Sequence, residues 1–223
     1  MRWPLDVLND EQRAEFMAVA TVRRHRRRSP VFLEGDVADG MYIIVSGHVA
    51  VQCTLPAGES GTLVVLGPGD VFGELALVSP GRRNAAVVTL SATTLLKVSS
   101  AALDGVRERV DAIDRVLMEA LAMEVRRLSA LLMEALYLPA EDRIIRRVAE
   151  LASVFAADEA TTEIVVPLTQ TDIAQMAGTT RPTVSRVLGS AEAAGELRVE
   201  RGRLHIINVG ALRTRAARAV GDH

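Results

Sequence analysis

Two stretches carry residue types whose spacing suits ligand chemistry. The first is Gly69-Asp70-Val71-Phe72-Gly73-Glu74-Leu75-Ala76-Leu77, followed by Arg83-Asn84-Ala85. Gly73 begins a short segment whose backbone N–H groups can face an anion. Arg83 offers a planar fork for phosphate oxygens, and Glu74 can accept from a sugar hydroxyl. The plainer alternative is a turn held by a Glu74–Arg83 ion pair. The second stretch runs from Thr169-Gln170-Thr171-Asp172 through Ala177-Gly178 to Thr180-Arg181-Pro182-Thr183-Val184-Ser185-Arg186. Arginine can donate two parallel hydrogen bonds to guanine O6 and N7 in the major groove of a duplex. The hydroxyls of Thr169, Thr180 and Thr183, with N–H groups at helix starts, suit phosphate oxygens. Residues 161–223 hold no Phe, Tyr or Trp, which argues against a module that stacks unpaired bases.

Other chemistries lack their residues. The single cysteine, Cys53, rules out an intrachain disulfide framework, a cysteine-rich zinc site and a four-thiolate iron–sulfur cluster. A cupin-like enzyme would need clustered histidine and carboxylate ligands in its strands. His25 and His48 stand without such company, so no metal site is expected. No Ser-His-Asp, thiol–histidine or Walker pattern is present, and the chain reads as a non-enzyme.

The elements that must position these residues follow from periodicity. After an amphipathic helix over 10–20, short alternating runs succeed one another: Tyr42 to Val45, Val49 to Val51, Thr62 to Leu66, Ala85 to Leu90 and Thr94 to Val98. Gly35-Asp36, Gly40, Ser46-Gly47, Gly58, Gly67-Pro68-Gly69-Asp70 and Pro80-Gly81 punctuate them, which predicts a β-sandwich or small barrel. From Ala101 to Leu138 the chain reads as one long helix. Its apolar stripe runs Val110, Ile113, Leu117, Leu121, Val125, Leu128, Leu132, Leu136, and Met118, Met123, Leu131 and Met133 add a second face. Two apolar faces call for a partner helix, hence a homodimer; the alternative is burial within its own chain. Pro139 ends that helix, and another follows over 141–155 with Ile144, Ile145, Val148, Leu151 and Ala152 inward. Asp158 to Glu163 reads as a polar loop.

In the second stretch Thr169 caps a short helix, Gly178 supplies a tight turn, and Thr180 caps a second helix with Pro182 in its first turn. Val184, Val187 and Leu188 turn inward, leaving Arg181, Thr183, Ser185 and Arg186 outside. Leu197 to Val199 and Leu204 to Ile207 flank a hairpin tip whose Arg201 and Arg203 could reach a flanking phosphate. The pattern is a winged helix-turn-helix.

Charge supports the division. The net of −2 averages an acidic portion, with 18 Arg and Lys against 22 Asp and Glu in 1–160, and a basic one, with 8 against 6 in 161–223. A further basic run, Arg23, Arg24, Arg26, Arg27 and Arg28, is either a solvated strand edge or a contact surface, and stays unassigned. The longest stretch free of acidic and basic residues, Gly40 to Gly58, alternates and contains Pro56, so no spanning helix or membrane association is expected. A cytoplasmic protein is the default.

Taken in order, these motifs resemble the cyclic-AMP receptor/FNR (CRP/FNR) family of bacterial transcription regulators over roughly residues 10–207. Gly35-Asp36, Tyr42-Ile43-Ile44 with Ser46-Gly47, and Gly69-Asp70 through Gly73-Glu74-Leu75 to Arg83 and Ala85 match the family's cyclic-nucleotide-binding roll. Thr180 to Arg186 matches its recognition helix. The resemblance implies an α+β chain: a β-roll effector domain over 1–104, a long dimerisation helix and hinge over 105–138, and a winged helix-turn-helix over 139–223. It implies a homodimer on double-stranded DNA with a two-fold symmetric operator, contact with RNA polymerase, and cAMP ahead of other cyclic nucleotides as effector. A family member that is effector-independent, or senses another ligand, is the alternative.

Carried over, Gly73, Glu74, Leu75, Ala76 and Arg83 fall on the phosphate-binding cassette, Glu74 holding the ribose 2′-hydroxyl and Arg83 the cyclic phosphate. Ser129 falls where the family contacts adenine across the dimer. Asn84 replaces a small residue and could crowd the phosphate, while Leu128 stands where the best-known member has a threonine. Arg181 and Arg186 match base-reading arginines, and Pro182 replaces a base-reading glutamate, implying a different half-site. Thr169, Gln170, Thr180, Thr183, Ser185, Arg201 and Arg203 complete the expected DNA-contacting set.

Overall fold

The computed structural model describes residues 8–54, 58–79, 81–108, 110, 112–156 and 163–221. The chain divides into two compact units, one of residues 1–53 and 66–130, the other of 54–65 and 131–223.

The first unit opens with α1 (Asp10–Ala18), whose Asn9 side chain accepts from the Gln12 amide in a reciprocal capping box. The strands of the N-terminal half are β1 (Thr21–His25), β2 (Pro30–Phe32), β3 (Gly40–Ser46), β4 (Val49–Thr54), β5 (Ser60–Leu66), β6 (Val71–Phe72), β7 (Ala86–Thr89) and β8 (Thr93–Ser99), of which β5 up to Val65 groups with the second unit. They form two four-stranded sheets, in the orders β1-β8-β3-β6 and β2-β7-β4-β5. The central strand β3 is apolar at successive positions because both its faces are covered. Tyr42 and Ile44 meet Val49, Phe72, Val87 and Leu95 between the sheets. Met41 and Ile43 face a second core with Phe16, Leu96, Val98, Leu103, Val106 and Ile113. Gly40 fixes the start of the β3–β8 register, since a Cβ there would lie 2.2 Å from the Val98 carbonyl oxygen.

The continuous helix expected over 101–138, and with it the 105–138 helix, is not what forms. The structure has α2 (Leu75–Val78), then α3 (Ser100–Arg107), then α4 (Ala112–Tyr137), with Glu108 and Val110 outside the helices. Leu103, Val106, Val110, Ile113 and Leu117 are all buried in one core, so the three-and-four rhythm runs straight across the interruption and conceals it. Leu121 is half-buried, and beyond it the stripe is bare: Val125, Leu128, Leu132 and Leu136 are 50–64% exposed, and Met118, Met133 and Tyr137 are exposed beside them.

In the second unit α5 (Ala140–Phe155) buries Ile144, Ile145, Val148, Leu151 and Ala152 as expected. The predicted 158–163 loop lies outside the described residues except for Glu163. Then follow β9 (Ile164–Val166), α6 (Gln170–Met176), α7 (Arg181–Ala193), β10 (Leu197–Glu200), β11 (Arg203–Ile206) and α8 (Val209–Gly221). The hairpin is extended by β9 into a three-stranded sheet, order β10-β11-β9. Neither β9 nor α8 was expected from sequence; Ile164, Val166 and Leu212 are buried anchors in too short a pattern to signal an element.

Candidate functional site

In the first unit everything converges on Arg83. Its own backbone pairs with the Gly35-Asp36 turn: Gly35 N–H donates to Arg83 O and Arg83 N–H to Asp36 O, each at 2.8 Å. Gly35 takes φ +85°, and the Asp36 carboxylate closes the turn by accepting from Leu33 N–H at 2.7 Å. Arg83 is thereby driven inward and is only 5% exposed. Its Nη1 donates to the Gly73 carbonyl at 3.1 Å, and its Nη2 to the Gly40 carbonyl at 2.7 Å and to Asp39 Oδ1 at 3.2 Å. The guanidinium lies 4.1 Å over the Phe32 ring, within a cluster of Phe32, Tyr42 and Phe72. Its Nε is buried without a hydrogen-bond partner.

The acid that pairs with Arg83 is therefore Asp39, not Glu74, which corrects the alternative of a turn held by a Glu74–Arg83 pair. Asp39 also accepts from Lys97 Nζ. Burial pushes its carboxyl up, but the Lys97 hydrogen bond and the charges of Lys97 and Arg83 outweigh that and hold it below the usual value. Nothing local in the sequence marks Asp39, which lies 44 residues from Arg83.

Gly73, at φ +77°, turns the chain from β6 into α2. A Cβ there would lie 2.6 Å from Arg83 Nη1, so only glycine admits the guanidinium. Glu74 precedes α2; burial raises its carboxyl above the usual range, the Glu124 charge adds to this, and its own N–H, Arg127 and Arg83 oppose it. Leu75 is exposed, whereas Ala76 is buried and its N–H is already directed to the Gly73 carbonyl at 3.2 Å. Asn84 is exposed between buried Arg83 and Ala85. Leu128 and Ser129 are exposed on α4. The basic run forms edge strand β1 and the turn after it, with Arg23 and Arg24 exposed opposite Leu95 and Thr94.

In the second unit, Thr169 and Asp172 form a reciprocal capping box on α6, Thr169 Oγ1 donating to Asp172 Oδ2 at 2.6 Å. Gln170 begins α6, half-buried. Gly178 takes φ +58° in the turn, as expected. Thr180 occupies the N-cap position of α7 but makes no capping bond; its hydroxyl meets that of Thr183 at 3.0 Å, which corrects the expected side-chain cap. Pro182 lies in the first turn, where its missing N–H is harmless. Val184, Val187 and Leu188 are buried, and Arg181, Pro182, Ser185 and Arg186 are exposed on the other side. At the hairpin, Arg201 is exposed beside Gly202 (φ +78°), while Arg203 folds back on Glu200 at 2.7 Å. Sequence reasoning missed Arg143 of α5, which donates to the Ala177, Gly178 and Leu138 carbonyls at 2.9, 3.2 and 2.7 Å and so braces the turn. It also missed Thr62, whose N–H and hydroxyl donate to Gln175 and Asp172 of α6 at 3.1 and 3.3 Å.

Among the described residues no helix is long and apolar enough to cross a membrane, and no group of three or more His, Cys, Asp or Glu is placed to hold a metal ion. Residues 22–109 match the model of a cyclic nucleotide-binding domain, and residues 142–215 that of a Crp-like helix-turn-helix domain. A CRP-like cAMP-activated global transcriptional regulator of Mycobacterium tuberculosis is 33% identical over 180 residues, 78% of each chain. The cyclic AMP receptor protein of Thermus thermophilus is 29% identical over 187 residues, 82% of each chain. The structure of CLP, a c-di-GMP responsive global regulator of Xanthomonas campestris, shares the fold. Its TM-score is 0.72 at 22% identity, over 90% of this chain and all of that one.

Proposed function

From the premise that the chain belongs to the CRP/FNR family of transcription regulators, we propose that it acts as a homodimer whose affinity for operator DNA is set by a cyclic nucleotide, cAMP first. The observation that carries the effector reading is the buried Nε of Arg83. A buried donor without a partner is destabilising by about 1–3 kcal/mol unless something accepts from it, and an anionic oxygen does so most strongly. The residues fit a cyclic phosphate: Arg83 would hold it through Nε, with Gly73 leaving space for the guanidinium. Glu74 would accept from the ribose hydroxyl, and Leu128 and Ser129 of a second copy would cover the base.

The exposed α4 stripe supports the dimer, since four large apolar residues at helical spacing find no cover within their own chain. The outer side of α7, with Arg181 and Arg186 exposed, supports major-groove reading on a two-fold symmetric duplex. Thr180, Thr183, Ser185 and, from the hairpin, Arg201 would contact the flanking phosphates. A regulator of this family is also expected to meet RNA polymerase.

The test is a duplex selected from a random pool by the full-length protein, then titrated by fluorescence anisotropy without nucleotide and with cAMP, cGMP or c-di-GMP. cAMP is expected to tighten binding more than the others. Equal affinity in all four conditions would overturn the cyclic-nucleotide reading and leave an effector-independent regulator.

A further inference from the structure

Arg186, the second arginine on the outer side of α7, is already engaged. Its Nη2 donates to Glu141 Oε1 at 2.6 Å, with the two side chains 65% and 55% exposed. Exposed pairs of this kind are ordinarily loose. This one is built on a braced frame. Glu141 lies in the first turn of α5, two residues before Arg143, whose guanidinium donates to the Ala177 and Gly178 carbonyls of the turn leading into α7. The backbone carrying Glu141 is therefore tied to the segment that carries Arg186, and the carboxylate is held within reach of that arginine. Glu141 gains in turn from the N-terminus of α5, where negative charge is favoured.

Building on the DNA-binding reading above, we propose that Glu141 is an intramolecular competitor for Arg186 that tunes operator affinity. A guanine presents O6 and N7 in one plane, and a bidentate contact takes up one edge of the guanidinium fork. Nη2 belongs to both edges by which that fork pairs with two acceptors, Nη1–Nη2 and Nε–Nη2. Nη2 carries one N–H on each of these edges, so a guanine read bidentately on the edge that Glu141 occupies takes the donor held in the free protein, and operator binding on that edge is an exchange of carboxylate for base. The free protein keeps the pair, so its strength is subtracted from the operator contact. Arg181, on the same helix, makes no such exchange with Glu141.

The removal of the carboxylate should therefore tighten the operator complex. An exposed ion pair converts, at about 1.4 kcal/mol per tenfold, to roughly a 1.5- to 5-fold change in affinity. The probe is a duplex selected from a random pool by the full-length wild-type protein, beside an unrelated duplex of equal length. Dissociation constants are measured for wild type, Glu141→Gln, Arg186→Ala and the double variant, with thermal melts to establish that each is folded. Glu141→Gln is expected to tighten the selected duplex by that factor in the wild-type background and to have no effect when Arg186 is alanine. An equal gain with and without Arg186, or on both duplexes, would make Glu141 a general repulsive charge and overturn the proposal, as would no gain at all. If the wild type selects no sequence from the pool, the DNA-binding reading itself fails, a result distinct from either.

Discussion

Gly73 and Gly35 make a matched pair for testing the phosphate cassette. Both take positive φ, +77° and +85°, so alanine at either position incurs a similar left-handed backbone penalty, about 1–2 kcal/mol. They differ in their surroundings. A Cβ at Gly35 meets nothing within 4 Å, whereas at Gly73 it lies 2.6 Å from Arg83 Nη1. That guanidinium cannot swing aside freely, being 5% exposed and anchored to the Gly40 carbonyl, Asp39 and the Phe32 face. Gly73→Ala should therefore also break the Arg83–Gly73 bond of 3.1 Å, worth about 1.5–3 kcal/mol as a hydrogen bond from a charged group.

At about 2–4 °C of melting temperature per kcal/mol for a chain of this size, Gly35→Ala should lower the melting temperature by roughly 2–8 °C. Gly73→Ala should fall roughly 3–12 °C further. Calorimetry with cAMP should separate them more sharply. Gly35→Ala leaves the guanidinium in place and should bind within about twofold of wild type, while the shifted Arg83 of Gly73→Ala should weaken binding by about 10- to 100-fold. Equal melting temperatures for the two variants, with cAMP affinity retained by Gly73→Ala, would refute the reasoning. The glycine would then serve only the turn.

Further expectations concern other parts of the molecule. Leu132→Asp places a charge in the exposed α4 stripe and, by removing two buried leucines per dimer at about 1.5–3 kcal/mol each, should weaken self-association about 10²- to 10⁴-fold in sedimentation. Glu134 is buried and pairs with Arg146 and Arg147, the latter also buried. Glu134→Gln should destabilise the second unit by about 3 kcal/mol, the low end for a broken buried pair because Arg147 keeps Glu150; an unchanged melting temperature would remove that network from the account. The Glu74 carboxyl, raised by burial, binds its proton more tightly folded than unfolded. Its contribution to stability therefore declines as pH rises from the ordinary glutamate value through the raised one. cAMP affinity should move oppositely, rising about fivefold through the same window as Glu74 becomes the stronger acceptor, and this dependence should vanish in Glu74→Gln.

Both halves of the fold are legible in the sequence where apolar periodicity and turn chemistry agree. The strands around Tyr42 and Thr94 and the inward sides of α5 and α7 lie where the pattern places them. The boundary between α3 and α4 was hidden because Val106, Val110 and Ile113 keep helical spacing through a non-helical step, and periodicity reports burial before it reports hydrogen bonding. The edge strand β1 was blurred by its charge: Arg23 and Arg24 face solvent, so no apolar alternation marks them. Thr180 shows a different limit. Its position at the start of α7 was readable, but its hydroxyl had two neighbours to choose from and took Thr183 over the backbone.

The least legible feature is shared by the two arginines on which function would turn. Each was singled out by its local motif, and each is held in the structure by an acid far along the chain: Asp39 lies 44 residues before Arg83, and Glu141 lies 45 before Arg186. Motif reasoning treats such an arginine as a cation waiting for its ligand. The geometry makes it one member of a pair, so the free energy gained from a phosphate or a guanine is a difference between two partners. The two pairs set that difference in opposite ways. Asp39 engages only Nη2 and is itself drawn off by Lys97, and the buried Nε has no hydrogen-bond partner. Glu141 holds Nη2 of an exposed fork, a donor that a base reading the same edge would need. On the reading proposed above, the first arrangement would leave its arginine a donor for a ligand, and the second would have to be undone before a base is read on that edge.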